Sequence, residues 1–454
     1  MRTHRTCAHN GWLALTLIAF TACGDDDTPE DHDDTAAGRG GSSAAGRGGS
    51  AAGGRSGSSA AGSGGTTGGA GGSTAGRGGN GGSGAGEGDA IYGIANTVTA
   101  GDISTTYVHV LKSLEVEERI GSDNAREYGG FSTIAAHSGG LLVASAESPT
   151  VTRFEVADDL TLTEGDDVDF GEYGITNAGF FGNVFVDDTK AYMNLEQVDR
   201  VIWNPKDMTI QGEAPPSGIE PQEGGLTTFA AYDRGIAVSD GRVYQPFYFH
   251  DGDFYKVAPN SKIVIYGEDD APETTLDVPC PALDTVTKDD DGNMIFSIWA
   301  GTVAYRLTDA EAPKSCAAVI AAGATEVSAT IDLDALAEGR QTSMYRYMKD
   351  GIGTLAVYNT DGVNLENLDD PSSLNTAANW ELWRVNLEEE SAEKIEGLPK
   401  FGGGYYSFTI DGRTIVLLPT ADLATTTAYE IDTEGSATKL FETTGWTYQL
   451  IKIR

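Results

Sequence analysis

Gly129-Gly130-Phe131-Ser132-Thr133-Ile134, running on to Leu141-Leu142-Val143, decides the fold because it returns. It comes back as Gly224-Gly225-Leu226-Thr227-Thr228-Phe229 before Ile236-Ala237-Val238, and again as Gly403-Gly404-Tyr405-Tyr406-Ser407-Phe408 before Ile415-Val416-Leu417. Each copy reads as a glycine pair, a short strand, a turn and an apolar strand, with the same step of 11 residues from second glycine to second strand. Weaker copies lie between them: Gly179-Phe180-Phe181 before Ala191-Tyr192-Met193, Pro281-Ala282-Leu283 before Met294-Ile295-Phe296, and Thr342-Ser343-Met344 before Leu355-Ala356-Val357. Ile91-Tyr92-Gly93-Ile94 is a second strand with no first strand ahead of it. The missing partner stands at the other end, at Gly445-Trp446-Thr447-Tyr448-Gln449-Leu450.

Second strands near 91, 141, 191, 236, 294, 355 and 415 make seven units with a mean spacing of 54 residues. That is the length of a four-stranded antiparallel β-propeller blade. The rest of the stretch supports it, with period-2 alternation broken by Asp-Gly and Asn-Gly turns. Apart from Asp332 to Glu338, long enough for a turn or two, no amphipathic helix is legible. The expected fold is therefore all-β, a seven-bladed propeller over 89–454 closed by pairing of N- and C-terminal strands. Two β-sandwich domains are the competing arrangement, but they do not require a one-strand offset between the chain ends. Neither a Trp-Asp dipeptide per blade nor a kelch pattern is present.

Composition divides what precedes this region. Of the chain's 60 glycines, 24 fall between Ala36 and Gly88, among Ala, Ser, Thr and four arginines. Such a stretch lacks the apolar surface to offset its ordering entropy and reads as a disordered tether with an r.m.s. reach of about 40 Å. An acidic run from Asp25 to Asp34 precedes it, so the tether is taken as 23–88. Arg2 and Arg5, the apolar run Trp12 to Phe20, and Thr21-Ala22-Cys23-Gly24 resemble a bacterial lipoprotein signal peptide over 1–22. The resemblance implies diacylation of Cys23, though Phe20 stands where such signals usually carry Leu. It further implies a protein held on the cell envelope by lipid, in the outer membrane, facing the periplasm or the surface.

Setting aside the 8 acidic residues and 6 arginines ahead of Asp89 leaves 60 acidic and 24 basic residues, a net charge of −36. That excludes general nucleic-acid binding, which depends on clustered cations. Cys7 leaves with the signal and Cys23 is spent on lipid, so Cys280 and Cys316 remain, placed to form a disulfide in an oxidising compartment. Two buried free thiols are the alternative.

The catalytic inventory is thin. His109, His137 and His250 have no metal-ligand spacing, and no G-x-S-x-G elbow occurs after residue 89. His137 beside Ser138 reads as turn chemistry. Carboxylates are too numerous for any pair to be specific. Asp289-Asp290-Asp291-Gly292-Asn293 and Asn359-Thr360-Asp361-Gly362 offer oxygen ligands for Ca²⁺, but hairpin turns favour the same residues, so no metal or cofactor is assigned. The aromatic run Tyr244 to Tyr255 reads as packing between blades, with Asp251-Gly252 as the turn.

In propellers the inner strands line a central channel, and ligands meet the mouth where those strands begin. That rule nominates Arg126, Tyr128, Glu223, Arg340, Lys400, Tyr405 and Trp446, with Glu127, Phe131, Phe180, Phe181, Arg346 and Tyr406 beside them. Arg126, Arg340 and Lys400 are expected to gather as a cationic pocket. The overall plan and the Gly-Gly texture resemble myxobacterial-type propeller lipoproteins encoded near siderophore genes. The preferred reading is a monomeric, non-enzymatic module binding a small molecule, glycan or envelope protein; the resemblance further implies a part in iron uptake. Rival readings are a polysaccharide lyase or hydrolase using Glu127 or Glu223, and an envelope assembly scaffold.

Overall fold

The computed structural model describes residues 90–454, except 180–181, 196–198, 252–254, 300–301, 365–370 and 372. The signal peptide, Cys23, the tether, Phe180, Phe181 and Gly252 lie outside the described residues. Seven antiparallel sheets follow one another as seven blades. The inner strands are Trp446–Lys452, Thr133–His137, Asn183–Phe185, Leu226–Ala230 with Ala237–Ser239, Leu283–Lys288, Thr342–Lys349 and Tyr406–Ile410. In blade 1, Trp446–Lys452 pairs with Tyr92–Ala100, Tyr92 facing Lys452 and Thr97 facing Trp446. The last strand of the chain thus completes the first blade, as its sequence requires, and neither end leaves an unpaired inner edge.

Side-chain hydroxyls near the start of three of the third strands latch one blade to the next. Thr106 donates to Gly130 O (2.6 Å) and accepts from Ser132 N (3.2 Å) between blades 1 and 2. Ser261 does the same with Cys280 O (2.8 Å) and Leu283 N (3.2 Å) between blades 4 and 5. Thr426 repeats it with Gly445 O (2.9 Å) and Thr447 N (3.0 Å) between blades 7 and 1. Each latch satisfies two backbone groups where the chain crosses between sheets and has no ladder partner. Between blades 5 and 6 the task passes to Ser315 and to Asp334, which accepts from Thr342 N (3.1 Å) and Thr342 Oγ1 (2.8 Å) and pairs with Arg306. Asp332 caps the short helix Leu333–Leu336 by accepting from Ala335 N.

The apolar filling sits between the blades. Trp203 packs edge-on against Phe170 and Phe185, and Tyr244, Phe247, Tyr248 and Phe249 are buried, the packing role read for that aromatic run. Ser138 and Gly139 both take positive φ (50° and 76°) in the hairpin after His137, whose Nε2 meets Asp188 O at 3.0 Å. Asp289 closes its own turn by accepting from Asn293 N, and Asp290 accepts from Tyr347 OH (2.6 Å). That acidic turn therefore has structural employment.

Cys280 and Cys316 form a disulfide, with Cα atoms 5.5 Å apart and 36 residues between them in sequence. It ties the crossing from blade 4 to the third strand of blade 5. The double substitution Cys280→Ser/Cys316→Ser is expected to lower stability by about 3 to 4 kcal/mol, the chain-entropy value for a loop of this size. The denaturation midpoint measures it, and a variant unfolding with the parent would show that the bridge adds nothing.

Blade 4 corrects one sequence expectation. The 11-residue step from Gly225 to Ile236 does not mark a second strand: Ala237–Ser239 continues the inner position, and the second strand is Arg242–His250. Gly224 and Gly225, both at positive φ, instead form a tight hairpin between Gln222–Glu223 and Leu226–Ala230. Pro246 explains the broken inner strand. Its carbonyl accepts from Ala231 N (2.8 Å), but its nitrogen carries no hydrogen to return the bond, and the inner strand leaves the ladder there. Residues Tyr232 to Ile236 are released toward the next blade, with Asp233–Gly235 as a 3₁₀ turn.

Candidate functional site

That released turn builds the site. Gly235 packs on blade 5 so closely that a Cβ there would stand 2.4 Å from Asp284 O and 2.6 Å from its carbonyl carbon. Asp284 is the extra residue of a β-bulge: Leu283 pairs with Ile298 and Thr285 with Ser297, leaving it unopposed. In blade 6 the register slips in the same way between Ser343 and Arg346. Ala282 and Met344, each two residues before those side chains, both hold φ 45°. Apolar non-glycine residues rarely enter this region, and the two irregularities re-aim Asp284 and Arg346.

Arg234 lies within the electrostatic field of both Asp284 and Arg346. The Arg234 guanidinium lies 3.6 Å above the Tyr406 ring. Burial pushes the Asp284 carboxyl up to about 8, against the pull of Arg234 and a hydrogen bond from the Trp299 backbone N–H. Burial also pushes the Arg346 guanidinium down to about 10, and the like charge of Arg234 adds to that. Asp284 is therefore mostly protonated at pH 7. Arg346 Nη1 donates to Val286 O (3.0 Å), while its Nε is buried with no hydrogen-bond partner, as are Asp284 Oδ1 and Trp299 Nε1. Unpaired buried polar atoms are costly in a core and are what a ligand seat leaves open. Tyr232 stands beside Asp284, its hydroxyl held protonated by burial and by that carboxyl.

The residues nominated from sequence are distributed differently. Tyr405 is buried, and its hydroxyl donates to Ser343 O (3.3 Å) and Met344 O (3.2 Å), bracing the backbone that aims Arg346. Trp446 Nε1 donates to Gly404 O (2.8 Å), locking blade 1 to blade 7, and its ring meets Phe131 and Tyr406. Arg126 and Tyr128 stand on the outer strand of blade 1, away from the axis. Arg126 pairs with Glu164 and lies 4.3 Å over Phe154 in blade 2, and burial pushes the Tyr128 hydroxyl up to about 12. Glu223 pairs with Lys262. Arg340 lies 4.9 Å over Trp383 of blade 6 and Lys400 is exposed just before Phe401, which bridges to Trp380. The expected Arg126/Arg340/Lys400 pocket is thus replaced by Arg234 and Arg346. Arg346 belonged to the mouth as read from sequence; Arg234 and Asp284 did not, and the one signal for them is Pro246, a proline inside an aromatic strand.

Fold and site together define a seven-bladed β-propeller with two arginines and a protonated carboxyl between blades 4, 5, 6 and 7. No family model matches the chain, and no curated protein does. Among solved structures it is similar to a periplasmic gluconolactonase of Pseudomonas aeruginosa, at 10% identity over 80% of this chain and 99% of that one, with a TM-score of 0.49. It is also similar to a putative 6-phosphogluconolactonase of Bacteroides fragilis (12%, 81% and 98%, TM-score 0.49) and to apo AztD of Citrobacter koseri (10%, 80% and 97%, TM-score 0.36). These likenesses stop at the general fold, and no activity is carried from them. Among the described residues no helix is long and apolar enough to cross a membrane.

Proposed function

We propose that this protein is an extracytoplasmic, lipid-anchored binding propeller that captures a small anionic ligand between Arg234 and Arg346. The observation that carries the reading is the cationic cluster itself: in a region of net charge −36, two guanidiniums sit within each other's field beside a carboxyl that stays protonated. The Arg346 Nε, buried with no hydrogen-bond partner, is the group that a bound anion would satisfy. The acidic surround repels polyanions at long range, so the seat favours a ligand of low charge. The lipid on Cys23 and the glycine-rich tether would hold the ring away from the membrane while leaving it free to meet ligand.

Two measurements test this. Cys23→Ser is expected to move the protein from the membrane to the soluble fraction of the producing cell; retention on the membrane would refute the anchor. Calorimetric titration of the detergent-extracted protein with small anions is expected to show saturable binding that Arg346→Gln weakens. A role in iron-siderophore uptake, implied by the resemblance of the tethered plan, requires iron limitation to raise the protein's abundance. Polysaccharide turnover lost on changing Glu127 or Glu223 would instead favour the enzyme.

A further inference from the structure

We propose a second binding site, independent of the arginine seat: a proline-walled cavity between blades 4 and 5 that takes an aromatic α-amino acid, its carboxylate on Lys314, its ammonium on Asp332 and its ring against the prolines.

The cavity measures about 230 Å³, is walled by Pro259, Pro279, Pro281 and Pro313, and has Cys316 in its lining. It is smaller than the roughly 300 to 1,000 Å³ of sites for drug-sized ligands, which suits one small molecule. Its walls are fixed before a ligand arrives. Pro279 and Pro281 flank Cys280, which the disulfide ties to Cys316 and whose carbonyl accepts from Ser261 Oγ (2.8 Å). A cavity held in this way has little freedom left to lose on binding. The prolines also select the ring: their C–H groups are polarised by the amide nitrogen and suit the negative face of an aromatic ring.

Strand register places the two charges. Cys316 stands opposite Asp332 where Cys316–Ile320 pairs with Ala329–Asp332. Ser315 turns inward, buried, its hydroxyl donating to Thr342 O of blade 6 (2.6 Å). Alternation therefore returns Lys314 to the face of Cys316 and makes it the diagonal neighbour of Asp332, roughly 7 to 8 Å away. Both line the cavity, both are exposed, and neither enters an ion pair among the described residues. Asp332 Oδ1 accepts from Ala335 N (3.0 Å), which leaves the second carboxylate oxygen without a hydrogen-bond partner. The neighbouring cation, Arg306, is committed to Asp334. Opposite charges set unpaired in one small cavity match a ligand that carries both, and an α-amino acid is the simplest such molecule.

The test titrates the detergent-extracted protein calorimetrically with phenylalanine, phenethylamine, hydrocinnamate and cyclohexylalanine. Phenethylamine lacks the carboxylate, hydrocinnamate lacks the ammonium, and cyclohexylalanine keeps both but loses the aromatic ring. Phenylalanine is expected to bind about fivefold more tightly than either singly charged analogue, the upper end for an ion pair open to solvent. Lys314→Met is expected to abolish the preference over phenethylamine, and Asp332→Asn the preference over hydrocinnamate. Asparagine caps the helix Leu333–Leu336 as well as aspartate does, so that variant loses the charge and keeps the fold. Melting curves confirm that both variants are folded. Cyclohexylalanine is expected to bind several-fold more weakly than phenylalanine, and equal binding would overturn the aromatic assignment. A singly charged analogue binding the parent as tightly as phenylalanine would overturn the site, as would preferences that survive both substitutions or failure of phenylalanine to bind. None of these outcomes bears on the arginine seat, which small anions test separately.

Discussion

Gly445→Ala is expected to unfold the ring at a markedly lower denaturant concentration than the parent. Gly445 opens the closing strand at φ 82°, and a Cβ there would stand 2.3 Å from Thr97 O and 2.8 Å from Val98 Cγ2. Both obstacles belong to Tyr92–Ala100, the strand that Trp446–Lys452 must join. Its backbone is also fixed on the other side, by Gly445 N donating to Ala424 O (2.8 Å) and by the Thr426 hydroxyl. The closing strand cannot retreat without breaking the latch. The left-handed conformation alone costs roughly 1 to 2 kcal/mol for a residue with a Cβ, and the clash adds to it, giving a loss of about 3 kcal/mol or more. Gly101→Ala is the matched control, because Gly101 has φ 62° with nothing within 4 Å of its absent Cβ. It should show the conformational cost without the clash. Equal midpoints for the two variants would mean that closure tolerates the intrusion and that the tight junction is not what holds the ring.

Asp284→Asn is expected to raise the melting temperature at pH 9 and to leave it unchanged below pH 4. Burial raises the carboxyl from 3.8 to about 8 in the folded protein. Between those values the unfolded chain has released the proton and the folded one retains it, so stability falls as pH rises, by at most about 1.4 kcal/mol per pH unit. The stability is intact below the unfolded value, is lost progressively up to the folded value, and stays level above it. Partial exposure of Asp284 makes the whole loss smaller than the full window allows, on the order of a few kcal/mol. Asparagine cannot ionise, and its amide oxygen still accepts the Trp299 backbone N–H. The variant's stability should therefore lack this slope. Parallel curves for variant and parent from pH 4 to 9 would place the ionisation of Asp284 in its ordinary range.

Much of the architecture is written in short-range pattern. The Gly-Gly steps at Gly130 and Gly404 correspond to real inner-strand and second-strand pairs, Thr133–His137 with Gly140–Ala144 and Tyr406–Ile410 with Arg413–Pro419. The orphan strand at Ile91 and its partner at Trp446 announce the closure. These features are local because a blade's inner hairpin is short, and turn chemistry with period-2 burial fixes it residue by residue. The copy at Gly224-Gly225 failed for an equally local reason: Pro246 ends the ladder opposite Ala231, and the inner strand breaks before its partner begins.

The site was far less legible. Arg126, Arg340 and Lys400 all precede glycine pairs or inner strands in the chain, yet precedence along a sequence does not fix distance from the axis. Arg126 ends on an outer strand, turned to Glu164 and Phe154. Arg234, Asp284 and Arg346 come from three blades and are aimed by a broken strand and two bulges. Their placement depends on Gly235 lying against the Asp284 carbonyl and on Tyr405 reaching the backbone of blade 6.

By itself, the sequence determined that the ordered region is a closed ring of seven four-stranded blades and that most of the acidic charge resides there, because alternation, turns and composition act over a few residues at a time. Tertiary structure alone decided which cations face one another and which carboxyl stays protonated. Those properties depend on burial and on charges brought together from distant parts of the chain, and the energy of a charge is set by its surroundings in space.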